Sequence, residues 1–247
     1  DKIWVALSKL SRPRAAAFVL AVGAVMWAGA WMFGNRVMIG DAQQGVAELR
    51  PEARYNQDAR LISSKFALGV DTMNVIVEAG PSACTTSYRA MEIIDRFAWH
   101  MANVEGVEQV ITLPMAAKQV NAGWNDGSPR WKVLPRDPDT LRQTTQSFET
   151  DSGLLNADCS AIPVTIFTSD HKSTTIDRLV AATKKFRTEN NAYEPGFAKK
   201  RDAAAAKAME NGEEYTTDQV NFRLATGPLG VQAATNDTVR EKEHLIL

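Results

Sequence analysis

Hydrophobic positions along the chain fall into two regimes. Residues 15–33, AAAFVLAVGAVMWAGAWMF, are continuously apolar, without a charge or a strongly polar side chain. At about 1.5 Å rise per residue, a helix of that length spans roughly 28 Å and matches the hydrocarbon core of a bilayer. A surface helix keeps a polar face and this one has none. The pattern predicts a membrane helix over 15–36. Lys2, Lys9, Arg12 and Arg14 precede the run while only Arg36 follows closely, which puts residues 1–14 on the cytoplasmic side. A cleaved signal peptide is the competing reading, with Ala28-Gly29-Ala30 as a small-residue cleavage site. Against it, the run exceeds the usual apolar stretch of about 7–15 residues and continues through Trp31, Met32 and Phe33.

Beyond the span the pattern becomes periodic. Residues 34–50 are Gly-punctuated and lead into the next domain; Pro51 can open a helix over 55–66, with Ala59, Ile62 and Phe66 on one face. Residues 71–79 alternate, Met73, Val75 and Val77 against Thr72, Asn74 and Glu78, as a half-buried strand does. A helix is predicted over 88–103, with Met91, Ile94, Phe97, Ala98 and Met101 forming its buried stripe and Trp99 on the far side with Glu92, Asp95 and Arg96. An exposed Trp there reads as a cap on neighbouring loop structure, with ligand binding as the alternative. Residues 107–113 read as a second strand. Residues 162–168 make a third, with Ile162, Val164 and Ile166 on one face and Pro163 suited to a strand start or a sheet edge. The helix over 172–189 buries Ile176, Leu179, Val180, Thr183 and Phe186, with Ser173 or Asp170 as its cap. Val220, Phe222 and Leu224 alternate in a fourth strand at 220–225.

Two insertions interrupt these elements. The first, 114–160, carries the turn signature Trp124-Asn125-Asp126-Gly127, then Trp131, a Pro-rich patch over 134–138, and Asp139 as the cap of a helix through Phe148. The second, 191–219, contains FAKKRDAAAAKAMENGEE and reads as a protruding helical arm. Lys199-Lys200-Arg201 is then its solvated face, with anionic lipid contact as the alternative. The order β-α-β, insertion, β-α, insertion, β is the split β-α-β, ferredoxin-like pattern of an α+β domain. One sheet face would carry the two helices, leaving the other free to meet another subdomain.

Composition changes this picture little. About 210 residues after the span suffice for one good-sized domain or two small ones. Apolar and charged fractions of 45% and 23% are ordinary, and a net charge of -1 gives no reason to expect nucleic acid. Cys84 and Cys159 both follow the span. On an oxidising side of the membrane such a pair reads as a disulfide, worth about 4 kcal/mol for a loop of about 75 residues; two separately buried thiols are the alternative.

Catalytic chemistry finds no foothold. His100, His171 and His244 lack metal-ligand spacing to one another or to a cysteine. Asp170-His171 beside Ser173 is a sequence adjacency, whereas triads are spatial. No phosphate-cradling glycine loop occurs. The expectation is a non-enzyme without catalytic residues, metal or cofactor.

The segments ELRPEARYN (48–56), NAGWNDG (121–127), NADCS (156–160), TSDHK (168–172) and GPLGVQAATN (227–236) follow the span in that order. Together they resemble the resistance–nodulation–division (RND) exporter superfamily, in the branch of large bacterial exporters related to the MMPL and hopanoid transporters. The resemblance implies a piece of a longer chain, closest to its second copy: the seventh span, a periplasmic porter domain over 37–240, and the start of the next span at 241–247. It implies residues after the span in the periplasm of a bacterial inner-membrane protein, and proton-driven export powered by carboxylates elsewhere. It also implies hydrophobic lipid substrates of the sterol or hopanoid class. Partners would be the membrane, a sister periplasmic domain of the same transporter, a periplasmic adaptor or lipid carrier, and further copies in a homo-oligomer. Soft, polarizable side chains for a greasy cleft are Trp124, Trp131, Met115, Phe148, Met73 and Phe167, with core packing as the plain alternative for each. A different class of reading is a membrane-anchored module that docks an adaptor or partner protein and transports nothing. A signal-peptide-bearing soluble lipid-binding protein is a third.

Overall fold

The computed structural model describes residues 4, 12–34, 39–41, 49–50, 52–66, 69, 71–148, 152–213 and 215–246. Lys2, Lys9, Arg36, Pro51 and most of the 34–50 linker lie outside the described residues, and in the expected next span only the Glu241 and Lys242 side chains are described. The chain divides into two compact units, residues 1–39 and 40–247.

The first unit is dominated by α1 (Pro13–Gly34), a helix of 22 residues with none buried. It is long and apolar enough to cross a membrane, which is consistent with membrane anchoring. Trp27 and Trp31 stack one turn apart near its C-terminal end, ring centroids 5.5 Å apart.

The second unit is a mixed helix-and-sheet structure. It begins with α2 (Arg54–Lys65), followed by β1 (Asp71–Glu78), the short α3 (Ala83–Thr86), α4 (Tyr88–Ala102) and β2 (Val107–Ile111). The first insertion folds as α5 (Leu113–Gly123), a 3-10 turn at Pro129–Trp131 and α6 (Pro138–Gln146). Then come β3 (Ala161–Thr168), α7 (Ser173–Glu189), α8 (Phe197–Glu210), β4 (Asn221–Thr226) and α9 (Pro228–Ile246).

The strands form one sheet in the order β2-β3-β1-β4, every neighbouring pair antiparallel. The period-2 pattern decides which face is buried. Met73, Val75 and Val77 of β1, Ile162, Val164 and Ile166 of β3, and Phe222 of β4 are all fully buried and share a core with the stripe Met91, Ile94, Phe97 and Met101 of α4 and with Ile176 and Leu179 of α7. Phe97, Phe186 and Phe222 lock sheet to helices, with centroids 5.1 Å and 4.7 Å from Phe97. Gly106 turns the chain from α4 into β2 at φ +94, where a Cβ would lie 2.8 Å from the Thr175 methyl carbon; a side chain there would be strained and crowded.

Cys84 and Cys159 form a disulfide, Cα atoms 5.6 Å apart across 75 positions. It ties α3, just past β1, to the turn that enters β3. Beside it the backbone bonds Ala79 N–H to Ser160 O (2.9 Å) and Ser82 N–H to Asp158 O (2.7 Å) close the same corner.

Several local expectations are corrected. The second strand ends at Ile111, because Thr112 caps a helix, its hydroxyl accepting from the Met115 N–H at 3.3 Å, and Pro114 occupies the first turn. Asp137, not Asp139, caps α6: it sits directly before Pro138 at the first turn and accepts from the Thr140 N–H. Neither Ser173 nor Asp170 caps α7. Lys172 holds that position without a side-chain bond, while the Asp170 carboxylate accepts from the Lys172 N–H and the Thr175 hydroxyl. Pro163 sits in β3, an interior strand, yet β2 ends opposite Thr165, so only β1 flanks the strand there. Arg201 is not part of a solvated face. Its side chain is 13% exposed and donates to Ala79 O (3.0 Å) and Ser160 O (3.2 Å). Helix α9 was not expected. Its buried positions among the described residues are Leu229, Gly230, Ala233 and Asn236, a stripe too small and too polar to announce itself, and ion pairs Lys184–Asp237 and Arg240–Asp177 hold it beside α7.

Candidate functional site

The solvent side of α4 carries Tyr88, Glu92, Asp95, Arg96 and Trp99, opposite its buried stripe. Helix α5 packs beside it, and Lys118 reaches across to Asp95 at 2.6 Å, both side chains about a quarter exposed. One turn further along α5, Asn121 is buried and donates both amide hydrogens outward, to Trp131 O (2.9 Å) and Val133 O (3.1 Å). That fork is what fixes the 131–133 segment against α5. Asn125 in turn donates to Asn121 O at 2.8 Å, so the NAGWNDG segment is a bracket for Trp131. Asp126 and Gly127 take positive φ values of 58° and 71° and complete the turn.

Two clefts result. One, of about 670 Å³, lies between α4, α5 and the 131–137 segment and is lined by Tyr88, Glu92, Arg96, Trp131, Lys132, Leu134, Arg136 and Asp137 among others. The other, of about 540 Å³, lies between α4, α5 and the end of α7 and is lined by Ala98, Trp99, His100, Val110, Met115, Phe186 and Glu189 among others. Asp95, Arg96 and Lys118 line both, so the ion pair is the sill between them. Both volumes lie in the range of small-molecule sites.

Charge is unevenly placed. Asp137 accepts from the Thr140 backbone N–H (2.9 Å) and hydroxyl (2.8 Å), and these bonds hold its carboxyl below the usual carboxylate range. Arg136 lies over the Tyr88 ring, 5.7 Å from its centroid. Among the described residues, Arg96, Lys132 and Arg136 make no ion pair.

Of the residues singled out from sequence, Trp131 (47% exposed) lines the first cleft and Met115 (37% exposed) the second. Trp124 is exposed on the turn beyond α5 and lines neither. Met73 is fully buried in the core, Phe148 packs half-buried against the core from the end of α6, and Phe167 is half-buried on the sheet face turned away from Met73. The structure therefore places two of the six at the clefts along α4, one in each. Sequence reading missed Arg96, Lys118, Asn121 and Arg136 as cleft residues. The acid–base pairing Asp95–Lys118 had no local signal, whereas Asn121 stood inside a quoted motif.

The two histidines whose side chains are described each have a hydrogen-bond partner. His100 Nε2 lies 3.2 Å from Ala182 O, and His171 Nδ1 lies 2.9 Å from Asp71 Oδ2; the His244 side chain is outside the described residues. Among the described residues no group of three or more His, Cys, Asp or Glu side chains is placed to hold a metal.

No protein-family model matches the chain, and no curated protein matches it in sequence.

Proposed function

We propose that this chain is a membrane-tethered, lipid-handling porter domain of the RND exporter type, held at a bacterial inner membrane with residues 37–240 in the periplasm. The observation that carries the reading is the joining, in one chain, of an apolar 22-residue helix to a unit with strand order β2-β3-β1-β4. That order, built from two β-α-β halves with antiparallel neighbours, supports the ferredoxin-like form of the domain. The Cys84–Cys159 disulfide supports an oxidising compartment. Helix α1 has no ionisable residue after Arg14, so proton coupling belongs to other spans. Trp131 and Met115 supply soft surface to the groove on α4, and a sister porter domain or further copies of the chain would complete its walls.

Native mass spectrometry of the full chain in non-ionic detergent, offered a sterol, a hopanoid and phospholipids, tests this. The expected result is a retained lipid that is lost on Trp131→Ala. A folded, oxidised chain that retains no lipid of any class overturns the reading.

One observation favours the docking-module reading. Helix α2 exposes Tyr55 (55%), Leu61 (56%) and Ile62 (43%), and Phe66 (62%) follows at its C-terminal cap, apolar surface of the kind that meets a protein partner. In that case Ile62→Glu abolishes in-cell crosslinking to the partner while lipid retention is nil in wild type and variant alike.

A further inference from the structure

We propose that the two clefts along α4 form one site for an anionic amphiphile, with its charged head at Arg96, Lys132 and Arg136 and its apolar body along Trp99, Met115 and Phe186. The inference rests on the lipid-handling reading and narrows its substrate class.

The first cleft is the polar half. Four cations and three carboxylates line it, but they are not equivalent. Lys118 and Asp95 neutralise each other at 2.6 Å. Asp137 is engaged by two donors from Thr140. What remains is Arg96, Lys132 and Arg136 against Glu92 and the still-ionised Asp137, a net excess of one positive charge, and none of the three cations makes an ion pair among the described residues. Arginine forks present paired donors to carboxylate or phosphate oxygens, and Arg136 is already steadied over Tyr88, so less freedom is lost when it binds.

The second cleft is the apolar half. Ala98, Met115 and the edges of the mostly buried Val110 and Phe186 line it on one side, His100, Glu189 and Asn190 lie beside them, and Trp99, 74% exposed, stands at its rim. An exposed indole at the rim of this cleft is surface with little to cover it among the described residues, and a hydrocarbon body would cover it. Because Arg96 borders both halves, one molecule can place its head on the cations and run its body past the Lys118–Asp95 sill. A neutral sterol would leave the three cations unmatched. An inorganic anion would leave the apolar half empty.

The test is equilibrium binding of oleate and of its uncharged methyl ester to the full chain in a non-ionic amphipol. Oleate is expected to bind about 10-fold tighter than methyl oleate, with Arg96→Gln and Arg136→Gln each weakening oleate about 5- to 10-fold and leaving methyl oleate unchanged. Arg89→Gln, an exposed cation of α4 outside both clefts, is expected to change neither. Equal binding of acid and ester, unaffected by the arginine variants, overturns the charge assignment while leaving lipid handling intact. Retention of a neutral sterol without oleate binding does the same. Failure of every lipid to bind overturns both readings, and binding of a polyglutamate peptide in place of oleate overturns the amphiphile in favour of an acidic protein segment.

Discussion

Replacing Arg201 by Met keeps the aliphatic stem and removes the guanidinium that joins α8 to the end of the sheet. The loss can be worked bond by bond. Ala79 is fully buried and its carbonyl receives Arg201 Nη1 at 3.0 Å; a charge-assisted bond to a buried acceptor is worth about 1.5–3 kcal/mol. Ser160 O keeps the Ala79 N–H at 2.9 Å, so losing Arg201 at 3.2 Å matters less there. The Asp202 partner is 67% exposed and its pair adds at most about 0.5 kcal/mol. The sum is a loss of about 2–3 kcal/mol. Since α8 buries only Phe197, part of that loss appears as detachment of the helix before global unfolding. Urea denaturation followed by circular dichroism gives the total, and amide exchange of residues 197–210 gives the local part. Lys199→Met, on the exposed side of the same turn, is the control and is expected within about 0.5 kcal/mol of wild type. Equal effects of the two substitutions would refute the clamp and return Arg201 to a solvated face.

Three further outcomes are expected. Removing the 75-position disulfide crosslink with Cys84→Ala and Cys159→Ala together lowers stability by about 4 kcal/mol in the chain-entropy model, read from urea midpoints of the full chain; two titratable thiols in the oxidised wild type would contradict the bond itself. Asn121→Ala leaves Trp131 O and Val133 O without their buried donor. It costs about 1–3 kcal/mol and shifts Trp emission to longer wavelength as the 131–133 segment loosens, whereas unchanged emission would show that Asn121 does not hold it. Asp158 is pushed upward by burial, but the Ser160 hydroxyl and N–H and the Asn156 amide outweigh this and set its carboxyl below the ordinary value. A depressed carboxyl contributes stability above its unfolded value, lost as pH falls through the folded one. The urea midpoint should therefore drop on acidification below about pH 4, and Asp158→Asn should flatten that drop; identical acid profiles would remove Asp158 as a cause.

Much of the second unit was legible because burial on a regular element repeats with that element's own period. Met73-Val75-Val77, Ile162-Val164-Ile166 and Met91-Ile94-Phe97-Met101 each name a face from spacing alone, and those faces are the core. The apolar run at 15–33 is of the same kind, a property of consecutive residues. Helix starts at Thr112 and Asp137 are also written locally, in a cap with proline in the first turn, although the first is missed by reading a strand through Leu113 and the second is placed two positions late at Asp139. Helix α9 was not legible, since Leu229, Ala233 and Asn236 bury too little apolar surface to show a stripe. What only the tertiary structure decided depends on residues far apart in the chain. The placing of β3 between β2 and β1 makes Pro163 an interior-strand residue with an open flank. Arg201 finds its carbonyl acceptors 122 and 41 positions away, and Lys118 meets Asp95 across 23. The groove on α4 belongs to this second kind: no local spacing records which side chains three crossing helices bring to one wall, because that depends on how the chain returns, not on how it repeats.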